Sequence, residues 1–260
     1  MVDTETMHHA FVDRSRFVAL MLRQFAVAGL LLAVSSGVSL ADTLHDCEQD
    51  DVASTALRAC TMLLGNGGLD PKERGRIYTL RGVAWMTEDD PSAAAEDFSH
   101  AIELEDTNVR AIRGRARAHS QIGSYGLAAA DWGRLIAMKP ENEEYYRNRG
   151  AAHLADRKTD LAFADYAKAL EIDPKSAEAH IGRALIYDYL GDRAAALDEF
   201  TAALEINPGY IPAHWAKAQA AERWGDKALA IQSYSTLLKY NGVYAHARKA
   251  LDRLGIHTPP

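Results

Sequence analysis

The sequence predicts an all-α chain, built as a solenoid of stacked antiparallel helix pairs. Three observations lead there. Pro140, Pro174 and Pro208 stand 34 residues apart, the period of a helix–turn–helix repeat that stacks on its own copies. The stretches ahead of the last two prolines, DLAFADYAKALEIDP and AALDEFTAALEINP, read as copies of one another. Alanine is abundant and proline scarce between the punctuating positions, which favours helix. With 48% hydrophobic and 25% charged residues, the chain has the composition of a globular protein.

The first element reads as a targeting segment. Phe25 to Val34 is an unbroken apolar core, preceded by Arg14, Arg16 and Arg23 and followed by Ser39-Leu40-Ala41. This layout is that of a secretory signal peptide over residues 1–41, cut after Ala41. The alternative is an uncleaved anchor, but the apolar run through Val38 is 14 residues, short for a membrane span. A start at Met21, in place of Met1 or Met7, gives a more compact signal. The residue before Cys47 is Asp46, so no lipid-attachment site is expected. Residues 1–41 hold three acids and three arginines, and the remainder therefore carries the whole net charge of −7. An acidic chain lacks the basic footprint of a nucleic-acid binder.

Residues 42–74 read as an N-terminal cap. The chain has two cysteines, Cys47 and Cys60, and export predicts a disulfide between them. Thirteen residues along one helix span about 20 Å, so the pair cannot share a continuous helix. Asp50 or Asp51 is placed to cap a helix from Val52 to Leu64, with Cys47 in a segment folding back over it. Ala56, Cys60 and Leu63 give this helix the look of an orphan second helix of a repeat. The loop Gly65-Asn66-Gly67-Gly68 follows, and Asp70 and Pro71 open the next helix as cap and first residue.

Five repeats follow, at 75–108, 109–142, 143–176, 177–210 and 211–244. Position 8 is Gly82, Ala116, Gly150, Ala184 and Ala218, always small. Position 20 is Ala94, Ala128, Ala162, Ala196 and Ala230. Position 24 is Phe98, Trp132, Tyr166, Phe200 and Tyr234, always aromatic. Small residues at 8 and 20 let two backbones approach, and the aromatic fills the space between neighbouring pairs. A turn falls near position 15, where Gly123, Gly191 and Gly225 sit and Arg157 replaces glycine. Asp106 and Gly242 replace proline at 32, Leu135 and Leu237 replace alanine at 27, and Ala221 is small at position 11. Residues 245–260 read as a closing cap and tail, with a helix from Tyr244 to Leu254 stopped by Gly255.

This pattern resembles the tetratricopeptide repeat family, over about residues 47 to 255. The resemblance implies a right-handed superhelix whose concave face binds proteins or peptides. It also implies that positions 2, 5, 9, 12 and 13 of the first helices line the groove. Those positions give Arg76, Arg110, Arg113, Arg117 and Arg147 at one end and Ile181, Leu185, Tyr189 and Trp215 at the other. Arg113, Arg117 and Asn148 match part of the family's carboxylate clamp, but Glu178 and Gly182 stand where its other basic residues belong.

A second regularity departs from the family's usual leucine at position 7. That position holds Arg81, Arg115, Arg149, Arg183 and Lys217, and position 23 holds Asp97, Asp131, Asp165, Glu199 and Ser233. Positions 7 and 23 are equidistant from the turn, so an antiparallel hairpin sets them level. Four structural ion pairs are expected, and the repeat that lost the acid also lost the arginine. An arginine row for a ligand is the alternative.

His119 and His153 share position 11, and His180 and His214 share position 4. Equivalent sites on stacked helices lie about 10 Å apart, too far for one zinc; the histidines are expected to pack in place of aromatics. No metal, cofactor or nucleotide-binding loop is expected, and no G-x-S-x-G elbow occurs, so catalysis is not expected. The expectation is a periplasmic or secreted protein-binding module. It would capture a peptide or protein segment, suited to acidic or C-terminal ligands with an apolar anchor. The alternatives are a scaffold bridging subunits of an envelope complex and an accessory regulator of an envelope enzyme. The sequence leaves partner identity and oligomeric state open.

Overall fold

The computed structural model describes residues 40–49, 52–240 and 245–257. The signal-peptide reading, Asp50, Asp51 and Gly242 therefore lie outside the described residues, apart from Leu40 and Ala41. Among the described residues there are helices and no strands. They fall into two compact units, one ending at Asp106 and one beginning at Thr107.

The first unit holds α1 (Leu40–Glu48), α2 (Ala53–Gly65), α3 (Pro71–Thr87) and α4 (Pro91–Leu104). The expected orphan helix is not alone. The segment carrying Cys47 is itself helical, and α1 and α2 pack together. Helix α2 starts one residue later than expected, with Val52 at its N-cap and no side-chain cap. Cys47 and Cys60 form a disulfide with Cα atoms 4.9 Å apart. If Ala56, Cys60 and Leu63 are numbered as positions 20, 24 and 27, Cys47 falls at position 11. The bond thus joins the two helices at positions where later repeats mostly carry aromatic or imidazole rings. Cys47, Cys60, Leu63 and Ile77 form the core beneath it.

Helix α3 opens as the sequence indicates. The Glu73 amide donates to Asp70 Oδ1 at 2.8 Å, and the Asp70 amide donates to Glu73 Oε2 at 3.3 Å. This reciprocal capping box, with Pro71 at the first helical position, satisfies two amides that a helix leaves orphaned. Gly82 is required where it stands, because a Cβ there would lie 2.7 Å from the Phe98 ring.

The second unit holds nine helices among the described residues: α5 (Val109–Gln121), α6 (Tyr125–Met138), α7 (Glu143–Ala155), α8 (Thr159–Ile172), α9 (Ala177–Leu190), α10 (Arg193–Ile206), α11 (Ile211–Arg223), α12 (Lys227–Tyr240) and α13 (Ala245–Arg253). They pair as α5–α6, α7–α8, α9–α10 and α11–α12, with α13 against α12. The alanines at position 20 and the residues at 27, Leu135 and Leu237 included, are fully buried. The leucine departures are thus absorbed into the core. Between successive pairs the aromatic of one repeat presses on the next: a Cβ on Gly182 would overlap the Tyr166 ring. Glycine at 182 is a packing requirement, and this explains why a clamp residue is missing there.

Position 15 is left-handed in every repeat. Gly123, Gly191 and Gly225 have φ of 78°, 81° and 75°, and Asp89 and Arg157 adopt 59° without glycine's freedom. The closing helix is stopped by Gly255 at φ 84°.

Candidate binding face

The level placement of positions 7 and 23 produces the expected ion pairs. Arg81 grips Asp97 through Nε and Nη2, both at 2.7 Å. Arg115–Asp131 and Arg149–Asp165 repeat the fork, each with 2.9 Å from Nε and 2.7 Å from Nη2. The three aspartates are buried, and hydrogen bonding to Asp165 holds the Arg149 pKa above its ordinary value. The fourth pair differs. Arg183 Nη2 meets Glu199 Oε1 at 2.6 Å, while the other carboxylate oxygen takes His180 Nδ1 at 2.7 Å. Arg183 Nε is left buried without a partner. The longer glutamate can reach both groups, so His180 joins the ladder and is more than an aromatic substitute. His214 does pack as one, stacking on Tyr240 with centroids 5.6 Å apart and meeting the Pro208 carbonyl at 2.8 Å.

His119 and His153 lie within the charge field of the ladder. Burial lowers both pKa values, opposed by Asp131 and Asp165 respectively, and Nδ1 of each is buried without a partner. In the fifth repeat Lys217 is half-buried and Ser233 buried. Burial lowers the Lys217 pKa.

Of the residues expected to line a groove, Arg76 belongs to the first unit, where it is ion-paired with Glu48 of α1. The others belong to the second. Glu144, at the start of α7, receives two arginines from α5: Arg113 at 3.7 Å and Arg117 at 3.3 Å. These guanidinium-bearing side chains remain 42% and 57% exposed. Arg110 is exposed one turn earlier on α5. Arg147 is held by Glu143 at 3.4 Å, and the Asn148 amide donates to the Glu144 carbonyl at 2.7 Å. Asn148 is therefore engaged with its own helix.

The expected apolar end divides. Ile181 is a core residue, buried with Ala184, Ala213 and Ala216, because α9 turns it toward α11. Leu185 is half-buried beside that core. Tyr189 is 74% exposed and followed by exposed Leu190. Trp215 is covered in part by Tyr234 and His246, with centroids 5.3 and 6.3 Å away.

One inter-repeat tie had no signal in the repeat pattern. Asp188 of α9 accepts from Trp224 Nε1 at 2.7 Å and from Arg223 Nε at 3.1 Å. Arg193 then donates to the Trp224 carbonyl at 3.0 Å. Glu178 likewise accepts from the Tyr210 hydroxyl at 3.0 Å, and burial with this bond pushes the phenol up to about 12. These contacts lie at positions that vary between repeats, so periodicity cannot reveal them.

Two models of the tetratricopeptide repeat match residues 113–177 and 177–210. Among solved structures, a tetratricopeptide repeat protein from Parabacteroides merdae aligns with a TM-score of 0.69 at 17% identity, covering 89% of this chain and 84% of that one. A thermophilic tetratricopeptide repeat protein from Thermus thermophilus, TTC0263, aligns with a TM-score of 0.61 at 20% identity, covering 69% and 98%. A MamA fragment from Desulfovibrio magneticus aligns with 0.59 at 19%, covering 66% and 94%. At these identities the likeness is one of fold. No curated protein matches the chain. Tetratricopeptide repeats bind protein partners and typically serve as non-enzymatic scaffolds. With its repeat-by-repeat agreement at positions 8, 20 and 24, this chain carries tetratricopeptide repeats, matched by the family's models over residues 113–210.

Proposed function

We propose that this protein is an exported interaction module that captures an acidic peptide or protein segment on the first-helix face of its second unit. The observation that carries the reading is the convergence of Arg113 and Arg117 on the single carboxylate of Glu144. Two guanidinium groups one helical turn apart serve one acid, and Arg110 adds a third charge beside them. The face therefore keeps an excess of positive charge within an acidic chain. A partner carboxylate can take the place of Glu144, since arginine presents a planar fork to either. Leu185 and Tyr189 lie further along the first helices, where an apolar residue of the same segment would anchor.

Location outside the cytosol follows from the sequence reading of residues 1–41 and is compatible with two further facts. The cysteines are disulfide-bonded, and no helix among the described residues is long and apolar enough to cross a membrane.

A fluorescent acidic peptide with a free C-terminal carboxylate and a final leucine serves as the probe. Its anisotropy should rise with protein concentration and fall with added salt. Charge reversal, Arg113→Glu with Arg117→Glu, should weaken binding about tenfold or more, as expected for loss of charge-assisted hydrogen bonds. Unchanged binding would argue for a scaffold that bridges its partners through another face.

A further inference from the structure

We propose that the fifth repeat holds a carboxylate-binding site between Lys217 of α11 and Ser233 of α12. Its place is equivalent to the one where each of the other four repeats holds a carboxylate of its own. In those four repeats the position-7 cation and the position-23 acid meet within 2.6–2.9 Å. The acid side chains are 5–12% exposed and the arginine side chains 19–28% exposed. Each site is thus closed behind the acid and open to solvent along the flank of the cation.

The fifth repeat keeps the frame and changes the contents. Helices α11 and α12 form the same antiparallel pair, and positions 217 and 233 keep the 16-residue sequence spacing of the other pairs. Lys217 retains a cation. Ser233, 4% exposed, ends one atom short of the oxygens an aspartate would present. Among the described residues no acid pairs with Lys217. Burial lowers its pKa, with no neighbouring acid to offset the effect. A half-buried lysine that meets no acid is an unfavourable arrangement that an incoming anion relieves. The donors are an ammonium and a hydroxyl, which together suit one carboxylate group. The ligand is therefore a small free carboxylate or the carboxylate of a peptide.

Acetate is the probe for the first source and an acetylated, amidated peptide with a single aspartate is the probe for the second. The reporter is the Lys217 Cε resonance in protein carrying ¹³C-labelled lysine, assigned through its absence in Lys217→Arg. Sodium acetate should move this resonance saturably in the millimolar range, and sodium chloride at matched ionic strength should not. Response to acetate alone assigns the site to free carboxylates; tighter response to the peptide assigns it to a protein partner. Ser233→Asp should abolish both responses and raise the melting temperature, because it supplies the missing acid. Acetate should also raise the melting temperature, and Lys217→Gln should abolish that rise, which gives a readout if Ser233→Asp folds poorly. The site is independent of the α5 arginines, so Arg113→Glu with Arg117→Glu should leave the acetate response intact. If acetate and the peptide move Lys217 no further than chloride does, the site does not exist.

Discussion

Arg149 and Asp165 meet through two parallel hydrogen bonds, Nε to Oδ2 at 2.9 Å and Nη2 to Oδ1 at 2.7 Å. The aspartate is buried and the arginine lies on its solvent side. Removing one partner should cost more than removing both. Asp165→Leu should lower unfolding free energy by about 2 kcal/mol, because it leaves a partly buried guanidinium without its counter-charge. Arg149→Leu with Asp165→Leu should cost clearly less than the sum of the single changes. Urea denaturation of the four proteins of this cycle gives the coupling directly.

The turn at Arg157 carries strain that its equivalents avoid. Its φ of 59° is left-handed, whereas Gly123, Gly191 and Gly225 occupy the same position at 75–81°. Arg157 is exposed, so its side chain contributes little packing. Arg157→Gly should raise stability by about 1 kcal/mol, and Gly191→Ala should lower it by a similar amount. Thermal melts of both variants check the pair of signs.

Acid should loosen the second unit through His119 and His153. Burial lowers both folded-state pKa values below the ordinary 6.5. The groups around them are Asp131 and Arg115 for the first, and Asp165, Arg149, Lys158 and Asp156 for the second. For each histidine, the unfolded chain binds a proton before the folded one does. Their contribution to stability is therefore complete above 6.5 and lost as pH falls through the folded values. Denaturation midpoints should drop between pH 7 and pH 5. His119→Phe with His153→Phe, which restores the aromatic type of position 11, should flatten that dependence.

Reduction should act on the first unit. The Cys47–Cys60 bond closes a loop of sequence separation 13, worth about 3 kcal/mol in the chain-entropy model. Dithiothreitol, or Cys47→Ser with Cys60→Ser, should raise amide exchange in α1 and α2 before it does so in α7 to α10. Hydrogen exchange followed by mass spectrometry resolves the two regions.

Much of the architecture was legible because its constraints repeat. Ala94, Ala128, Ala162, Ala196 and Ala230 face the same crowded contact five times, so one sequence carries its own comparison set. The ladder was readable for the same reason: the loss of the acid at Ser233 coincides with the change to Lys217. What remained hidden occurs once. Helix α1 is too short and too irregular to show a period, so the segment that folds back over α2 carries no helical signature in the sequence. Ile181 has the register of a groove residue and the burial of a core residue, because α9 is packed closely against α11. Asp188, Trp224 and Arg223 form a tie through side chains that have no counterpart in other repeats. At the proposed binding face, the sequence showed the arginines but not the Glu144 carboxylate that two of them share.

The central claim is that partners dock on the first-helix arginine face of the second unit. Site-specific photo-crosslinking tests it most directly. A benzophenone residue is placed at Arg110, on α5, or at exposed Asp198, on the second-helix side of α10, and the protein is irradiated in its native compartment. The claim predicts a discrete adduct from position 110 that disappears with Arg113→Glu and Arg117→Glu, and none from position 198. An adduct from position 198 that is indifferent to those reversals, with none from position 110, would contradict it.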